Sequence, residues 1–224
     1  MKKPPALVVF GGRAMSSLVW HCVTHDARRK VAAFTVDAAW ISRNSHEGLP
    51  VVPFEQVTAL YPPGTHEMLI PVGWADINGV RRSRCEQARQ KGYRLATYVS
   101  SRASVWPDTK IGENCMVFEQ AVVQSFTQLG MDVSIRSGAN IGHHGVVEDH
   151  CFIATGVITG GNVHIGEQCF IGLGAILRDG VRIAPRCLIG AGAVVMADTE
   201  PDGVYVGMPA RRLEKSSMEA TRVK

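Results

Sequence analysis

The residues best suited to chemistry sit together in IGHHGVVEDHCFIATGVITGGNVHIG, residues 141–166, which holds four of the chain's eight histidines and a bare Gly160–Gly161 pair. A neutral imidazole, with an ordinary pKa of about 6.5, takes a proton from an attacking nitrogen or oxygen near neutral pH. A backbone N–H at a residue without a side chain lets a ligand come close and can steady an oxyanion. Base and oxyanion donor are the two parts that acyl transfer needs, so His143, His144 and Gly161 are the candidate catalytic residues if the fold brings them together.

These residues lie inside a repeat. Steps of six from Val99 to Val195 find Val, Ile or Leu at sixteen of seventeen places, Thr159 being the exception. The fourth residue after each is small or β-branched, as in Cys115, Ala121, Val133, Cys151, Cys169 and Cys187. Glycine follows the aliphatic residue in seven units, among them Gly112, Gly142, Gly166, Gly172 and Gly190, which reads as a tight corner needing positive φ. The pattern is the hexapeptide signature of a parallel β-helix. Three hexads make one coil, both columns point inward, and coils stack about 4.8 Å apart. His143 and His144 then face outward at a corner, and three hexads beyond His143, at the same place on the next coil, stands Gly161. The four stacked cysteines read as core packing, no CxxC pair occurs, and His150 and His164 read as surface residues.

Residues 1–98 read differently. ALVVFGG, KVAAFTVD and EMLIPVG are buried-strand runs, AMSSLVWHCVTH has helical spacing, and DINGVRRSRCEQARQKGY reads as a helix with an exposed basic face. Strands alternating with helices imply a small Rossmann-like α/β domain. The first turn, GGRAMSS, lacks G-x-G-x-x-G spacing and gives little support to a dinucleotide site. A nucleotide fragment remains possible, with Gly11 and Gly12 at a helix N-terminus, Asp37 accepting from a base or ribose, and Arg81 with Arg82 and Arg84 near a pyrophosphate. The alternatives are a turn aspartate and a solvated helix face.

The net charge of +4, from 24 basic and 20 acidic residues without a long single-sign block, gives little reason to expect nucleic-acid or membrane binding. Prolines and glycines interrupt MKKPPALVVFGG before a signal-peptide core could form, and no later apolar run approaches the length of a membrane span; a cytoplasmic location is expected.

The hexads resemble those of the left-handed β-helix acyltransferase superfamily, a resemblance that supplies handedness and a usual homotrimer. The whole chain resembles the bacterial nucleotide-sugar acyltransferases related to UDP-4-amino-sugar N-acetyltransferases and the sialic acid O-acetyltransferase group. The expected fold is therefore mainly β, a left-handed parallel β-helix (99–200) preceded by a small Rossmann-like α/β domain (1–98) and followed by a tail (201–224). The resemblance implies His143 as catalytic base and the Gly161 amide as holder of the acetyl carbonyl. It also implies acetyl-CoA between subunits along Gly160, Gly161, Gly172 and Gly190, with Pro209 in the GMPA turn near its adenosine end. The nucleotide sugar would lie in the N-terminal domain near Gly11, Gly12, Asp37 and Arg81, and no metal is expected.

Two departures stand out. His144 occupies the place where that family carries an acid that orients the catalytic ring, leaving Glu148, Asp149 or His144 itself to do so. Phe152 stands where some relatives have a second histidine against the acetyl donor. Rival readings are a zinc enzyme like the γ-class carbonic anhydrases, whose His-x4-His pair and earlier histidine are missing here, and a non-catalytic sugar-binding module. N- and O-transfer make the same demand on His143.

Overall fold

The computed structural model describes residues 4–222, so the two opening lysines lie outside it. The chain begins with β1 (Ala6–Phe10), α1 (Ala14–His25), β2 (Val31–Val36), β3 (Ser45–His46), β4 (Leu49–Pro53), α2 (Val57–Leu60), β5 (His66–Leu69) and α3 (Gly79–Gln90). The sheet order is β3-β4-β2-β1-β5, parallel apart from the β3–β4 pair. Side chains alternate across β1. Leu7 and Val9 pack with Val19 and Val23 of α1, while Val8 and Phe10 pack with Cys85 and Ala88 of α3, the period of two that lets a sheet carry a helix on each face. Strands add on one side of β1 and then return to β5 on the other, which opens a crevice at the carboxyl ends of β1 and β5.

From Tyr98–Val99 to Val194–Val195 the chain becomes a prism of two-residue strands in three parallel sheets, each strand pairing with its equivalent on the next coil. The aliphatic and small columns fill it: Ile135, Ile153, Ile171, Ile189 and the four column cysteines are fully buried. The thiols also hydrogen bond. Sγ of Cys151 and of Cys169 reach the carbonyls of Gly166 and Ala184 on the following coils, each at 3.1 Å. Cysteine thus fills volume and satisfies a buried acceptor, and burial pushes the Cys115 thiol up to about 12, as expected of inert packing.

The corner glycines need a correction. Positive φ falls at the fourth place of the hexads that start at Ile111 through Ile189, at Asn114, Asp132, His144, His150 and Gly156 for example, and not at Gly112, Gly142, Gly166, Gly172 or Gly190. Those glycines are required by close approach. A Cβ would lie 2.6 Å from Gly130 C at Gly112 and 2.7 Å from Ala191 N at Gly172.

Arg81 and His150 also need correction. The fourth-place residues Asn114, Asp132, His150 and Gln168 form a column against which α3 docks. Arg81 is fully buried there, donating to Asp132 Oδ1 at 2.9 Å and to the carbonyls of His150 and Cys151 at 3.0 and 3.2 Å. His150 is buried as well, its Nδ1 2.9 Å from Asp132 Oδ2. Burial works against the Asp132 carboxylate, yet Arg81, His150 and Asn114 together hold its pKa below the ordinary value. The helix keeps an exposed basic side through Arg82 and Arg89, but Arg81 ties the α/β unit to the prism.

After the prism, Gly203–Val206 extends the eight-stranded sheet, Arg211–Ser216 returns antiparallel, and Ser217–Thr221 is a short helix. Thr221 Oγ1 accepts from the Ile77 amide at 2.9 Å, closing the tail onto the start of α3.

Candidate active site

One corner follows each strand of the six-stranded sheet. Its third-place residues stack as Ser125, His143, Gly161 and Asp179, and its fourth-place residues as Phe126, His144, Asn162 and Gly180. His143 and His144 are both exposed, and the His143 ring lies against the Gly161 backbone: a Cβ on Gly161 would sit 2.6 Å from His143 Nε2. Gly161 is buried, and among the described residues its N–H has no hydrogen-bond partner. The other glycines expected near a ligand differ, since the amides of Gly160, Gly172 and Gly190 bond to Leu177, Ile189 and Tyr205 carbonyls at 2.8–2.9 Å. Their glycine identity follows from coil packing. Pro209 is exposed in the tail, after Met208.

His143 is held from several sides. Its amide donates to Gln124 Oε1 at 3.1 Å, its carbonyl accepts from the Asn162 amide at 2.8 Å, and its Nδ1 lies 3.1 Å from His144 Nδ1. Two facing ring nitrogens need one proton between them, so one ring donates and the other accepts. The His144 ring packs against Phe126, centroids 4.6 Å apart and planes tilted by 35°, and its amide donates to Ser125 O at 3.1 Å. Glu148 instead contacts His164 Nε2 at 2.7 Å and accepts from the Glu167 amide, while Asp149 accepts from the Met131 amide at 2.8 Å. His144 is therefore the side chain that meets the His143 ring. Phe152 stacks on Phe170 beside Trp74, on the eight-stranded sheet. Among the described residues no group of three His, Cys, Asp or Glu is arranged to hold a metal ion.

In the α/β unit, Gly11 has φ of 121° and a Cβ there would press on Ser16, whereas Gly12 has ordinary φ and room. Asp37, at the end of β2, is joined to Arg84 at 2.6 Å, a pairing not legible in spacing. The structure thus brings Asp37, Gly11 and Arg84 toward the strand ends and leaves Arg81 elsewhere. Two shallow depressions of about 330 and 320 Å3 lie along the prism sheet that carries Lys110–Ile111 and His164–Ile165, lined by Lys110 and Glu167 in one and His164 and Arg182 in the other, without His143.

Residues 162–197 match the family model for the bacterial transferase hexapeptide (six repeats). A mutant of perosamine N-acetyltransferase from Caulobacter crescentus, solved with CoA and GDP-perosamine, is 25% identical, with 94% of this chain and 97% of that one covered and a TM-score of 0.86. The acetyltransferase domain of PglB from Neisseria gonorrhoeae, solved with acetyl coenzyme A, is 27% identical over 93% of this chain and 99% of that one, TM-score 0.84. The chain is a hexapeptide-repeat acyltransferase. WeeI from Acinetobacter baumannii, 22% identical over 93% and 99% of the two chains with a TM-score of 0.83, shares the fold of this acyltransferase. No curated protein matches it by sequence. The parallel prism fits the left-handed β-helix of such transferases, and no helix among the described residues is long and apolar enough to cross a membrane.

Proposed function

We propose that the chain transfers an acetyl group from acetyl-CoA to the amine of a nucleotide-linked amino sugar. The observation that carries this reading is the His143 ring lying against Gly161, whose N–H has no partner among the described residues. With a proton on Nδ1 donated to His144 Nδ1, His143 presents a lone pair at Nε2. That nitrogen takes a proton as the sugar amine attacks the thioester carbonyl, and the Gly161 N–H steadies the oxyanion. Collapse breaks the C–S bond, and the departing thiolate recovers the proton from the imidazolium. His144 serves as the orienting group, replacing an acid with a neutral acceptor.

Several features favour acetyl-CoA at this corner. Ile158 and Ile176, on the outer face of the same six-stranded sheet, are 49% and 42% exposed and offer an apolar track for the pantetheine arm. Gly160 and Gly161 keep the track free of side chains, Gly172 and Gly190 extend it, and Pro209 would lie toward the adenosine. In this reading the prism assembles as a left-handed homotrimer with the thioester at a subunit seam, in the cytoplasm. The Rossmann-like domain of residues 1–98 takes the nucleotide at the β1–β5 crevice, where the α1 N-terminus without acidic side chains and Gly11 favour phosphate. An amine acceptor is preferred because the relatives named above include a perosamine N-acetyltransferase solved with GDP-perosamine; a sugar hydroxyl is the other acceptor class.

The test is an acceptor screen. Acetyl-CoA is paired with GDP-perosamine, UDP-linked 4-amino sugars and the corresponding 4-hydroxy sugars, and released thiol is read. Turnover with an amino sugar that vanishes in His143→Ala is expected. No thiol release with any acceptor, or equal rates in the variant, would reject the assignment.

A further inference from the structure

The aliphatic column has one exception, Thr159, and the β-ladder is irregular at the same place. Elsewhere along this sheet the second-place amide of each hexad donates to the first-place carbonyl one coil on: Gln124 to Ile141 O, Gly160 to Leu177 O and Arg178 to Val195 O, at 2.9–3.0 Å. Gly142 does not. Its N–H donates to Thr159 Oγ1 at 2.8 Å, the residue pairing of Ile141 with Thr159 is missing while Asn140 still pairs with Ile158, and the neighbouring rungs pair both residues. Among the described residues the Thr159 carbonyl has no donor. The irregular rung adjoins His143 on one coil and Gly160–Gly161 on the next.

Thr159 is buried in the prism, 5% exposed, and its bond with the Gly142 amide is buried too, so that amide is turned from the carbonyl toward the interior. A buried N–H must find an acceptor. With valine or isoleucine at 159 that hydroxyl is gone, the acceptor the ladder supplies at this place is the ordinary carbonyl, and the Gly142 peptide would rotate back to the standard rung. His143 is attached directly to Gly142, so that rotation shifts the imidazole relative to Gly161.

We infer that Thr159 is a positioning residue whose hydroxyl diverts the Gly142 amide and thereby sets the His143 ring against the Gly161 backbone. The inference rests on His143 being the base. It makes an unusual demand of mutagenesis: the change that completes the hexapeptide pattern should harm turnover without harming the fold.

The experiment compares Thr159→Val, Thr159→Ser and His143→Ala in the full-length protein, reading thiol release from acetyl-CoA with GDP-perosamine or the best UDP-linked 4-amino sugar, together with the melting temperature. Thr159→Val is expected to melt no lower than wild type and to lose roughly 10- to 100-fold in kcat with KM changed less than threefold, because an ångström of misplacement costs about that much. Thr159→Ser, which keeps the hydroxyl, should stay within about threefold in kcat. A crystal structure of Thr159→Val should show the Gly142 amide on the residue 159 carbonyl. Wild-type kcat in Thr159→Val, equal losses in valine and serine variants, or a valine variant that melts well below wild type overturns the inference. Full activity in His143→Ala overturns the parent reading instead, so the two failures are distinct.

Discussion

The imidazole of His143 lies on the backbone of Gly161, one coil further along, so closely that any side chain at 161 would occupy the ring's place. On the proposed reading it joins a proton acceptor to an amide that has no partner among the described residues, without a loop between them. Both are mounted on the ladder of one sheet, which holds the separation of coils near about 4.8 Å.

His143→Ala should lower kcat by roughly 10²- to 10⁴-fold. KM for acetyl-CoA should change little, since on the proposed reading the ring acts on the attacking group. Steady-state kinetics with the best acceptor checks this, and circular dichroism should show an unaltered fold because the residue is exposed.

Gly161→Ala tests the contact from the other side. The new methyl group would fall 2.6 Å from His143 Nε2, and the exposed ring must swing away. A kcat loss of about 10²-fold is expected, with the melting temperature nearly constant. Retention of full turnover would mean that the ring's position over Gly161 is immaterial.

For His144 the informative change is to alanine. Removing the partner of His143 Nδ1 frees the tautomer and should cost roughly tenfold in kcat. His144→Glu keeps an acceptor at that place and should recover most of the loss, measurable in the same assay.

Arg81→Ala should destabilise the protein by about 3–5 kcal/mol, as it leaves the buried Asp132 carboxylate without its cation,. Urea melts give the number. A phosphate-binding role would instead raise KM for the nucleotide sugar in protein that remains folded, and the buried geometry predicts no such selective effect.

Asp26 supplies a pH dependence. The Ser101 hydroxyl and amide, with Tyr98, hold its carboxyl down at about 2, joining the end of α1 to the first coil. A depressed folded-state pKa gives stability that is present above the unfolded value of about 3.9 and lost as pH falls through about 2. Asp26→Asn should flatten the acid limb of stability between those values. Urea midpoints measured across pH 2–5 for both proteins test it, and parallel curves would refute the clasp.

Much of the prism is legible because a β-helix repeats one local rule. A period of six over seventeen hexads marks inward columns, and stepping on by three hexads finds the neighbour on the next coil, which is how His143 leads to Gly161. The strands of the α/β unit are readable where apolar runs end at glycine or aspartate, as at Phe10 and Val36, but β4, with Pro50 and Pro53 within it, is not. Arg81 escapes such a reading because a charged residue in a basic helix looks like solvent-facing charge. Its partner Asp132 stands on a distant coil of the prism, and one-dimensional spacing carries no sign of it.

By itself, then, the sequence determined the prism, its register, and the corner that carries the two histidines, since these follow from side-chain volume recurring at a fixed interval. Tertiary structure alone decided which polar groups face which. It placed Arg81 and His150 in a buried network, engaged Asp37 with Arg84, and set Glu148 and Asp149 away from His143. It also turned the Gly142 amide onto Thr159. Periodicity specifies where a side chain points; the partner of a hydrogen bond depends on angles and distances between segments that no repeat encodes.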